Sequence, residues 1–217
     1  MTSRTRAKHS LREQFSPAPI PEQKSIDAMR VAAAGCTACP LYRNATQTVF
    51  GEGARQAKLV LIGEQPGDSE DRAGRPFVGP AGGLLNRALE EAGIDRSTIY
   101  VTNAVKHFKW EPRGKRRLHK KPSEREVAAC RPWLEAELSI IRPQVLVCLG
   151  STAAQSVLGP EVRVLRDRGK FVESKYCART LVTVHPSSLL RAPDEESRAE
   201  NYALFVSDLR KVVRELE

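Results

Sequence analysis

Residues 58–71 read KLVLIGEQPGDSED, a run of apolar side chains that passes directly into a loop of glycine, proline and acidic residues. A short apolar run that ends in turn residues is typical of a strand buried on both faces of a sheet. The segments 98–105 and 144–150 have the same character, and a weak hairpin at residues 170–184 contains a fourth such strand. These segments predict a sheet that is covered on both faces.

Helical segments alternate with these strands. The predicted helices span residues 25–34, 82–92, 122–141, 152–158 and 197–216. Ser123, with Glu126 three residues later, is the pattern of a capping box at a helix start. Alternating strands and helices predict an α/β fold, a three-layer α/β/α sandwich around a mostly parallel four-stranded sheet. Ligands of such sheets bind beyond the carboxyl ends of the strands, so we expect the loops after Gly63, Asn103 and Val184 to converge.

The length and composition suit one compact domain. The chain has 217 residues, of which 41% are apolar, which is enough to bury a core. We predict a mobile basic arm over residues 1–22 and a single domain over residues 23–217. No run of 18 apolar residues is present, and the first residues lack the apolar core of a secretory signal, so we expect a cytoplasmic protein without a membrane span. We also expect it to be a monomer.

Positive charge is concentrated in residues 106–121, here called the basic segment. The chain has a net charge of +9, and the basic segment holds eight Lys or Arg against one acid, Glu111, which accounts for +7 of it. Concentrated charge of this kind is how proteins hold polyanions, whereas a solvated loop is the alternative interpretation. We therefore expect a nucleic acid as partner and a location at the nucleoid.

Five cysteines in such a chain are more typical of ligands or core residues than of disulfides. Cys36 and Cys39 form a pair with two-residue spacing that can bind one metal centre, and Cys130 is the natural third ligand. Cys148 lies within an apolar strand and is interpreted as a core residue, while Cys177 is given no role. Thiolates suit iron–sulfur clusters and zinc equally, so the metal stays open at this point.

Several motifs together point to a known family. They read CTACP (36–40), GEQPGDSEDRAGRPFVGPAG (63–82), TNAVK (102–106), VAACRPWL (127–134) and HPSSLLR (185–191). In this order the motifs resemble those of the iron–sulfur uracil-DNA glycosylases called family 4, and the resemblance runs from about residue 27 to residue 213. It implies the uracil-DNA glycosylase sandwich, a [4Fe-4S] cluster and action on uracil-containing DNA.

The first departure from the family pattern concerns the cluster. Family 4 members usually carry a cluster cysteine four residues after the asparagine of the second strand, and that position here is His107. The resemblance therefore implies a ligand set of Cys36, Cys39, His107 and Cys130. Cys148 is the alternative to His107, and zinc is the alternative to the cluster.

The second departure is the segment GKRRLHK at residues 114–120, which ordinary family 4 members lack. It resembles the Lys-Arg-Arg-Ile-His loop of the UdgX branch, with Leu118 in place of the isoleucine, and that branch is also similar at Gln65. In that branch the loop histidine becomes covalently attached to the abasic sugar after uracil leaves. The resemblance implies this role for His119.

The remaining roles follow from the resemblance and from the chemistry of uracil. Asn103 reads O4 and N3–H of the base, Phe77 stacks on it, and Gln65 and Asp68 complete the uracil-binding set. A base must leave the helical stack to be cut, so we expect single-stranded DNA to be favoured.

Two further residues assist the chemistry at His119. His185 stabilises the departing uracil anion, and Glu64 orients His119, whose pKa we expect the neighbouring Lys and Arg side chains to lower. The residues expected to contact DNA phosphates are Lys115, Arg116, Arg117, Lys120 and Arg191.

Three other functions are compatible with parts of the sequence. An ordinary glycosylase would release uracil and leave a free abasic site, and a non-enzymatic protein would only bind uracil-DNA. A metal-dependent phosphate enzyme would use Glu64, Asp68 and Asp71, but the second cluster of Asp and His residues that it needs is absent from the sequence.

Overall fold

A six-stranded sheet forms the centre of the computed structural model, which describes residues 15–216. The strands of the described residues are β1 (Glu52–Gly53), β2 (Leu59–Gly63), β3 (Tyr100–Asn103), β4 (Trp110–Arg113), β5 (Arg116–His119), β6 (Val145–Leu149), β7 (Phe171–Ser174) and β8 (Cys177–Thr183). The order in the sheet is β1-β3-β2-β6-β8-β7, while β4 and β5 form a separate hairpin.

The parallel part of the sheet contains the four predicted strands. β3, β2, β6 and β8 are parallel to one another, and β1 and β7 pair antiparallel at the two edges. The mostly parallel α/β fold is thus confirmed, with a sheet of six strands where four were predicted. β1 was missed because a two-residue edge strand has no periodicity to detect.

Helices cover both faces of the sheet. They are α1 (Ile26–Ala34), α2 (Asp68–Ala73), α3 (Pro80–Glu91), α4 (Glu124–Ile141), α5 (Ser151–Leu158), α6 (Val164–Asp167), α7 (Pro186–Leu189) and α8 (Glu195–Leu216). In β2 the side chains of Val60 and Ile62 pack with α1, α4 and α5, whereas those of Leu59 and Leu61 pack with α3, α7 and α8. The alternation of a strand therefore divides the core into two layers.

The predicted start of α4 is confirmed in detail. Ser123 Oγ accepts a hydrogen bond from the backbone N–H of Glu126 at 3.4 Å, and Glu126 Oε2 accepts one from the N–H of Ser123 at 2.6 Å. These two bonds satisfy N–H groups that the first helical turn would otherwise leave unpaired.

The basic segment folds differently from the predicted loop. It contains the β4–β5 hairpin, in which Trp110 pairs with His119 and Arg113 with Arg116. The turn begins at Gly114, whose φ of +58° is in the left-handed region that favours glycine. The hairpin places His119 at the end of β5.

The predicted N-terminal arm falls largely outside the described residues. Its described part lies against the domain, because Phe15 packs on the core, and the N–H groups of Ser16 and Ala18 donate to carbonyls of the domain at 2.9 and 3.0 Å. No helix within residues 15–216 combines the length and the apolar character that a membrane crossing requires.

Candidate active site

A cavity of about 750 Å³ opens at the carboxyl ends of the parallel strands. The loops after Gly63, Asn103 and Val184 contribute to its wall, so their expected convergence is confirmed. The predicted site residues that line it are Glu64, Gln65, Phe77, Asn103, His119, His185 and Arg191.

Gly63 allows Asn103 and Phe77 to approach each other at the floor of the cavity. A Cβ atom at Gly63 would lie 2.3 Å from Asn103 Oδ1 and 2.7 Å from Phe77 Cζ, so a side chain there would displace both. Phe77 itself has a φ of +56°, which is unusual for a bulky residue and costs conformational energy. The surrounding loop therefore holds an aromatic ring beside a buried amide.

Glu70 joins the two loops that carry these groups. Its Oε2 accepts a hydrogen bond from the N–H of Gly67 at 3.0 Å, and its Oε1 accepts one from the N–H of Gly79 at 2.7 Å. Sequence reasoning missed this residue, although its position in the acidic first turn of α2 is a usable signal.

Gln65 holds His119 in the cavity. The N–H of Lys109 donates to Gln65 Oε1 at 3.0 Å, which fixes the orientation of the amide. The amide nitrogen of Gln65 lies 2.9 Å from Nε2 of His119. The same nitrogen also lies 3.2 Å from the carbonyl oxygen of Lys109 and 2.9 Å from that of Lys120. An amide nitrogen only donates, so an Nε2 that accepts from Gln65 belongs to a neutral imidazole with its proton on Nδ1.

Glu64 is the carboxylate beside His119. Its Oε1 lies 3.6 Å from His119 Nε2, and its Oε2 accepts a short hydrogen bond from the hydroxyl of Thr152. Burial lowers the pKa of His119, the charge of Glu64 opposes this shift, and Arg191 adds to it. The predicted lowering of the His119 pKa is confirmed. The predicted cause is wrong, because burial lowers this pKa more than the Lys and Arg side chains of the basic segment do.

His185 is also neutral and has a defined tautomer. The N–H of Ser187 donates to His185 Nδ1 at 3.1 Å, so the ring proton is on Nε2. Burial is the main cause that lowers the pKa of His185 to about 4; a proton on His119 and the positive charge of Arg191 act in the same direction. The ring can therefore donate a hydrogen bond from Nε2 at neutral pH.

Arg117 is enclosed by groups of the protein. Its guanidinium donates to Asp68 Oδ1 in a short bond and to the fully buried Asp71 at 2.6 Å. It also lies 5.3 Å from the ring centroid of Phe108 and 5.4 Å from that of Trp110. Since only 13% of its side chain is exposed, Arg117 anchors the hairpin to α2 and is not presented to a phosphate.

The other residues predicted to bind uracil or phosphate have different surroundings. Asp68 is not part of the cavity wall, because its carboxylate is bonded to Arg117 and, at 3.0 Å, to Arg72. Lys115 and Arg116 are exposed at the hairpin tip.

Two further predicted phosphate contacts lie close to the cavity. Lys120 forms an exposed ion pair with Glu111 at 2.8 Å. Arg191 is exposed and lines the cavity. Arg191 is therefore open to solvent and lines the same cavity as His119 and His185.

The three cysteines predicted as metal ligands are all buried and belong to the same layer of the core. Burial raises the pKa of Cys130 to about 12. The indole N–H of Trp133 donates to Cys36 Sγ at 3.3 Å, and the backbone N–H of Lys106 donates to Cys130 Sγ at 3.2 Å. Such N–H bonds to sulfur suit thiolates that ligate iron or zinc.

His107 is linked to the backbone near Cys36 through Thr48. The Nε2 of His107 is 2.8 Å from the hydroxyl of Thr48, and this hydroxyl donates to the carbonyl of Ala33 at 2.9 Å. The backbone N–H of Cys36 donates to the same carbonyl. Cys148 is instead fully buried within β6. In the described part of the chain, no three His, Cys, Asp or Glu side chains are grouped closely enough to hold a metal ion.

Comparisons with known proteins identify the family of the chain. Residues 50–210 match the model of the uracil DNA glycosylase superfamily. The chain is 42% identical to a type-4 uracil-DNA glycosylase of Thermotoga maritima over 75% of this chain and 82% of the relative. It is 36% identical to the type-4 enzyme of Pyrobaculum aerophilum, over 73% of this chain and 81% of the relative. It is 33% identical to the type-4 enzyme of Archaeoglobus fulgidus, over 87% of this chain and 92% of the relative.

Proposed function

Because the chain belongs to the uracil DNA glycosylase superfamily, we propose that it excises uracil from DNA and that His119 then bonds to the resulting abasic sugar. The observation that carries this proposal is the position of His119: its imidazole lies in the cavity, 3.6 Å from the carboxylate of Glu64 and 2.9 Å from the amide nitrogen of Gln65. The type-4 relatives support the excision step.

Asn103 and Phe77 recognise the base in this mechanism. The buried amide of Asn103 pairs with O4 and N3–H of uracil, a combination of acceptor and donor that cytosine does not present. Phe77 packs against the face of the base, which every pyrimidine offers, so Asn103 supplies the selectivity.

His185 and Glu64 act on the bond that breaks. The electrons of the bond between C1′ and N1 move to uracil, and the Nε2–H of His185 stabilises the anion at O2. The sugar becomes an oxocarbenium-like cation, which the carboxylate of Glu64 stabilises. The uracil anion then takes up a proton from water.

His119 captures the cation in the last step. The lone pair on Nε2 forms a bond to C1′, and the Nδ1 proton then leaves to solvent, so that the substituted ring ends neutral. Gln65 releases its hydrogen bond to Nε2 as the new bond forms. An ordinary glycosylase would use water in place of this nitrogen, and the 48% exposure of the His119 side chain makes water the competing nucleophile.

Different residues position His119 and contact the DNA. Arg117 fixes β5 to α2 and so holds His119 in place, whereas the exposed Lys115, Arg116 and Arg191 are free to contact phosphates. Contacts to phosphates carry no base preference, and a single strand presents its uracil at lower cost than a duplex, so uracil in single-stranded DNA is the favoured substrate.

A [4Fe-4S] cluster held by Cys36, Cys39, Cys130 and His107 is the second part of the proposal. The burial of the three cysteines and the N–H donors to Cys36 and Cys130 support the cysteine ligands, and the link from His107 through Thr48 to the carbonyl of Ala33 supports His107 as the fourth. A bound cluster would tie the segment after α1 to α4 and would take no part in the excision chemistry.

One gel tests the proposed function. The protein is incubated with a uracil-containing single-stranded oligonucleotide, heated in detergent and separated by denaturing electrophoresis, with a thymine oligonucleotide as the matched control. We expect a shifted band with uracil only. Strands that become alkali-labile without a shifted band would establish ordinary turnover instead, and intact strands with tight binding would establish a non-enzymatic binder.

A further inference from the structure

The short helix α6 (Val164–Asp167) presents an exposed leucine at the rim of the cavity. Val164 and Leu165 line the cavity, as do His119 and Lys121. Leu165 is 87% exposed, more than any other large apolar residue of residues 15–216. Single exposed leucines are common on protein surfaces, so exposure alone assigns no role to Leu165.

The turn that carries Leu165 is fixed. The N–H of Arg163 donates to Asp167 Oδ2 at 2.9 Å, and the N–H of Asp167 donates back to the carbonyl of Arg163 at 2.9 Å. The guanidinium of Arg168 donates to the buried Asp208 at 3.0 Å, which ties the end of the turn to α8. Leu165 is therefore held outward by its backbone.

The surroundings of Leu165 are basic. Residues 163–170 contain four Lys or Arg residues and one acid, Asp167. This second basic stretch and the hairpin both border the cavity, since α6 and His119 each contribute to its wall. An apolar side chain among cations suits a polymer with charged phosphates and apolar base faces.

The cavity extends beyond the residues assigned to uracil. Its volume is about 750 Å³, and its wall runs from Asn103 and Phe77 to Val164 and Leu165. Asn103, Phe77 and His185 account for the uracil itself. The part of the cavity at Leu165 is therefore available to a neighbouring nucleotide of the same strand.

We propose that Leu165 packs against the base of the nucleotide adjacent to the uridine, while the exposed Arg163 and Arg166 lie along its phosphates. The proposal rests on the function proposed above for the identity of the strand. The contact is apolar and made to a base face, so it adds affinity without preference for one base.

A double-mutant cycle between protein and DNA tests this contact. The probe is a single-stranded oligonucleotide with 2′-fluoro-deoxyuridine, whose fluorine slows cleavage so that binding reaches equilibrium. Versions with a tetrahydrofuran abasic analogue on the 5′ or the 3′ side of the uridine lack one neighbouring base. Dissociation constants are measured for the wild-type protein, Leu165→Ala, and Val31→Ala on α1, which is also exposed and does not line the cavity.

We expect Leu165→Ala to weaken binding of the intact strand by about fivefold or more, as removal of one base contact does. Removal of the neighbouring base on one side should weaken wild-type binding equally, and the two changes together should weaken it no further. Leu165→Phe should restore or strengthen binding, and Val31→Ala should match the wild type.

Two results would overturn the contact: an unchanged dissociation constant for Leu165→Ala, or an equal further loss on both abasic-flanked strands. Failure of the uracil function has a different signature, which is equal wild-type binding of uridine and thymidine strands. In that case, the same double-mutant cycle measured on the thymidine strand tests the Leu165 contact.

Discussion

The replacement His119→Ser should convert capture of the DNA into repeated excision. The groups proposed to act on the leaving base are Asn103, at the end of β3, and His185 and Glu64, just after β8 and β2. The contacts of Glu64 with Thr152 and of His185 with Ser187 do not involve the imidazole of His119. Serine leaves space beside Glu64 that water can fill. The attack on the sugar should then pass from imidazole to water.

The size of the effect follows from the position of the imidazole. A held nucleophile has an effective molarity of about 10⁵ M or more, whereas water offers roughly 55 M, so capture should exceed hydrolysis about 10³-fold in the wild type. Each wild-type molecule should therefore process one DNA strand. The His119 side chain is 48% exposed, so its loss should change the free energy of unfolding by no more than about 1 kcal/mol, and Tm by about 2–4 °C.

The assay uses an excess of uracil oligonucleotide over protein of about tenfold, so that repeated turnovers can be counted. Denaturing electrophoresis measures the adduct, and hot alkali followed by electrophoresis measures the abasic product per molecule of protein. His119→Ser should give no adduct and several products per molecule. His119→Gln is the control for size: its longer side chain excludes the water, so both products should be low.

The reasoning would be refuted by an adduct that persists in His119→Ser. Peptide mapping of the adduct then decides where the bond is. A crosslink at Lys120, the next residue along the chain, would indicate Schiff-base chemistry with the opened sugar and would remove His119 from the mechanism.

Three further predictions concern the cluster, the hairpin and pH. Cys130→Ala should abolish the absorbance near 400 nm (approximately, for charge transfer from thiolate to iron) and the bound iron, whereas Cys148→Ala, deep in β6, should keep both; the reverse outcome would exchange their roles. Arg116→Gln should reduce the slope of log Kd against log salt by about one unit, while Arg117→Gln should leave the slope unchanged and cost about 3 kcal/mol of stability in a denaturant titration, because Asp71 loses its buried partner. Burial lowers the pKa of His119, so the adduct rate at saturating DNA should stay constant from pH 8 down to its ordinary pKa of about 6.5 and fall only below it; a fall that begins above that pH would contradict the assignment.

The strands of the core were predictable because burial leaves a strong signal. The run 59–62 is apolar at every position since β2 is covered on both faces, and the loop that follows begins at a glycine. The position of Gly63, Asn103 and Val184 at parallel strand ends was enough to predict one shared cavity. These inferences needed only local sequence and the general topology of such sheets.

The contacts of the basic segment were not predictable in the same way. Its density of Lys and Arg indicates a polyanion, but charge alone does not distinguish a cation that faces solvent from one that is buried. Arg116 is exposed and Arg117 is enclosed by Asp68 and Asp71, although they are neighbours in sequence. The β-hairpin makes the difference, because adjacent residues of a strand point to opposite faces.

The hairpin that carries His119 allows uracil excision and the covalent capture of DNA to be separated by mutation. Asn103 and His185, the proposed contacts to uracil, come from the ends of parallel strands, whereas His119 is carried by a hairpin outside the sheet that Arg117 anchors to α2. Changes that loosen the hairpin should therefore affect the nucleophile before they affect the base pocket. A variant that loses the anchor at Arg117 while it remains folded should release uracil with less adduct, and this ratio, unlike total activity, distinguishes a misplaced His119 from a damaged pocket.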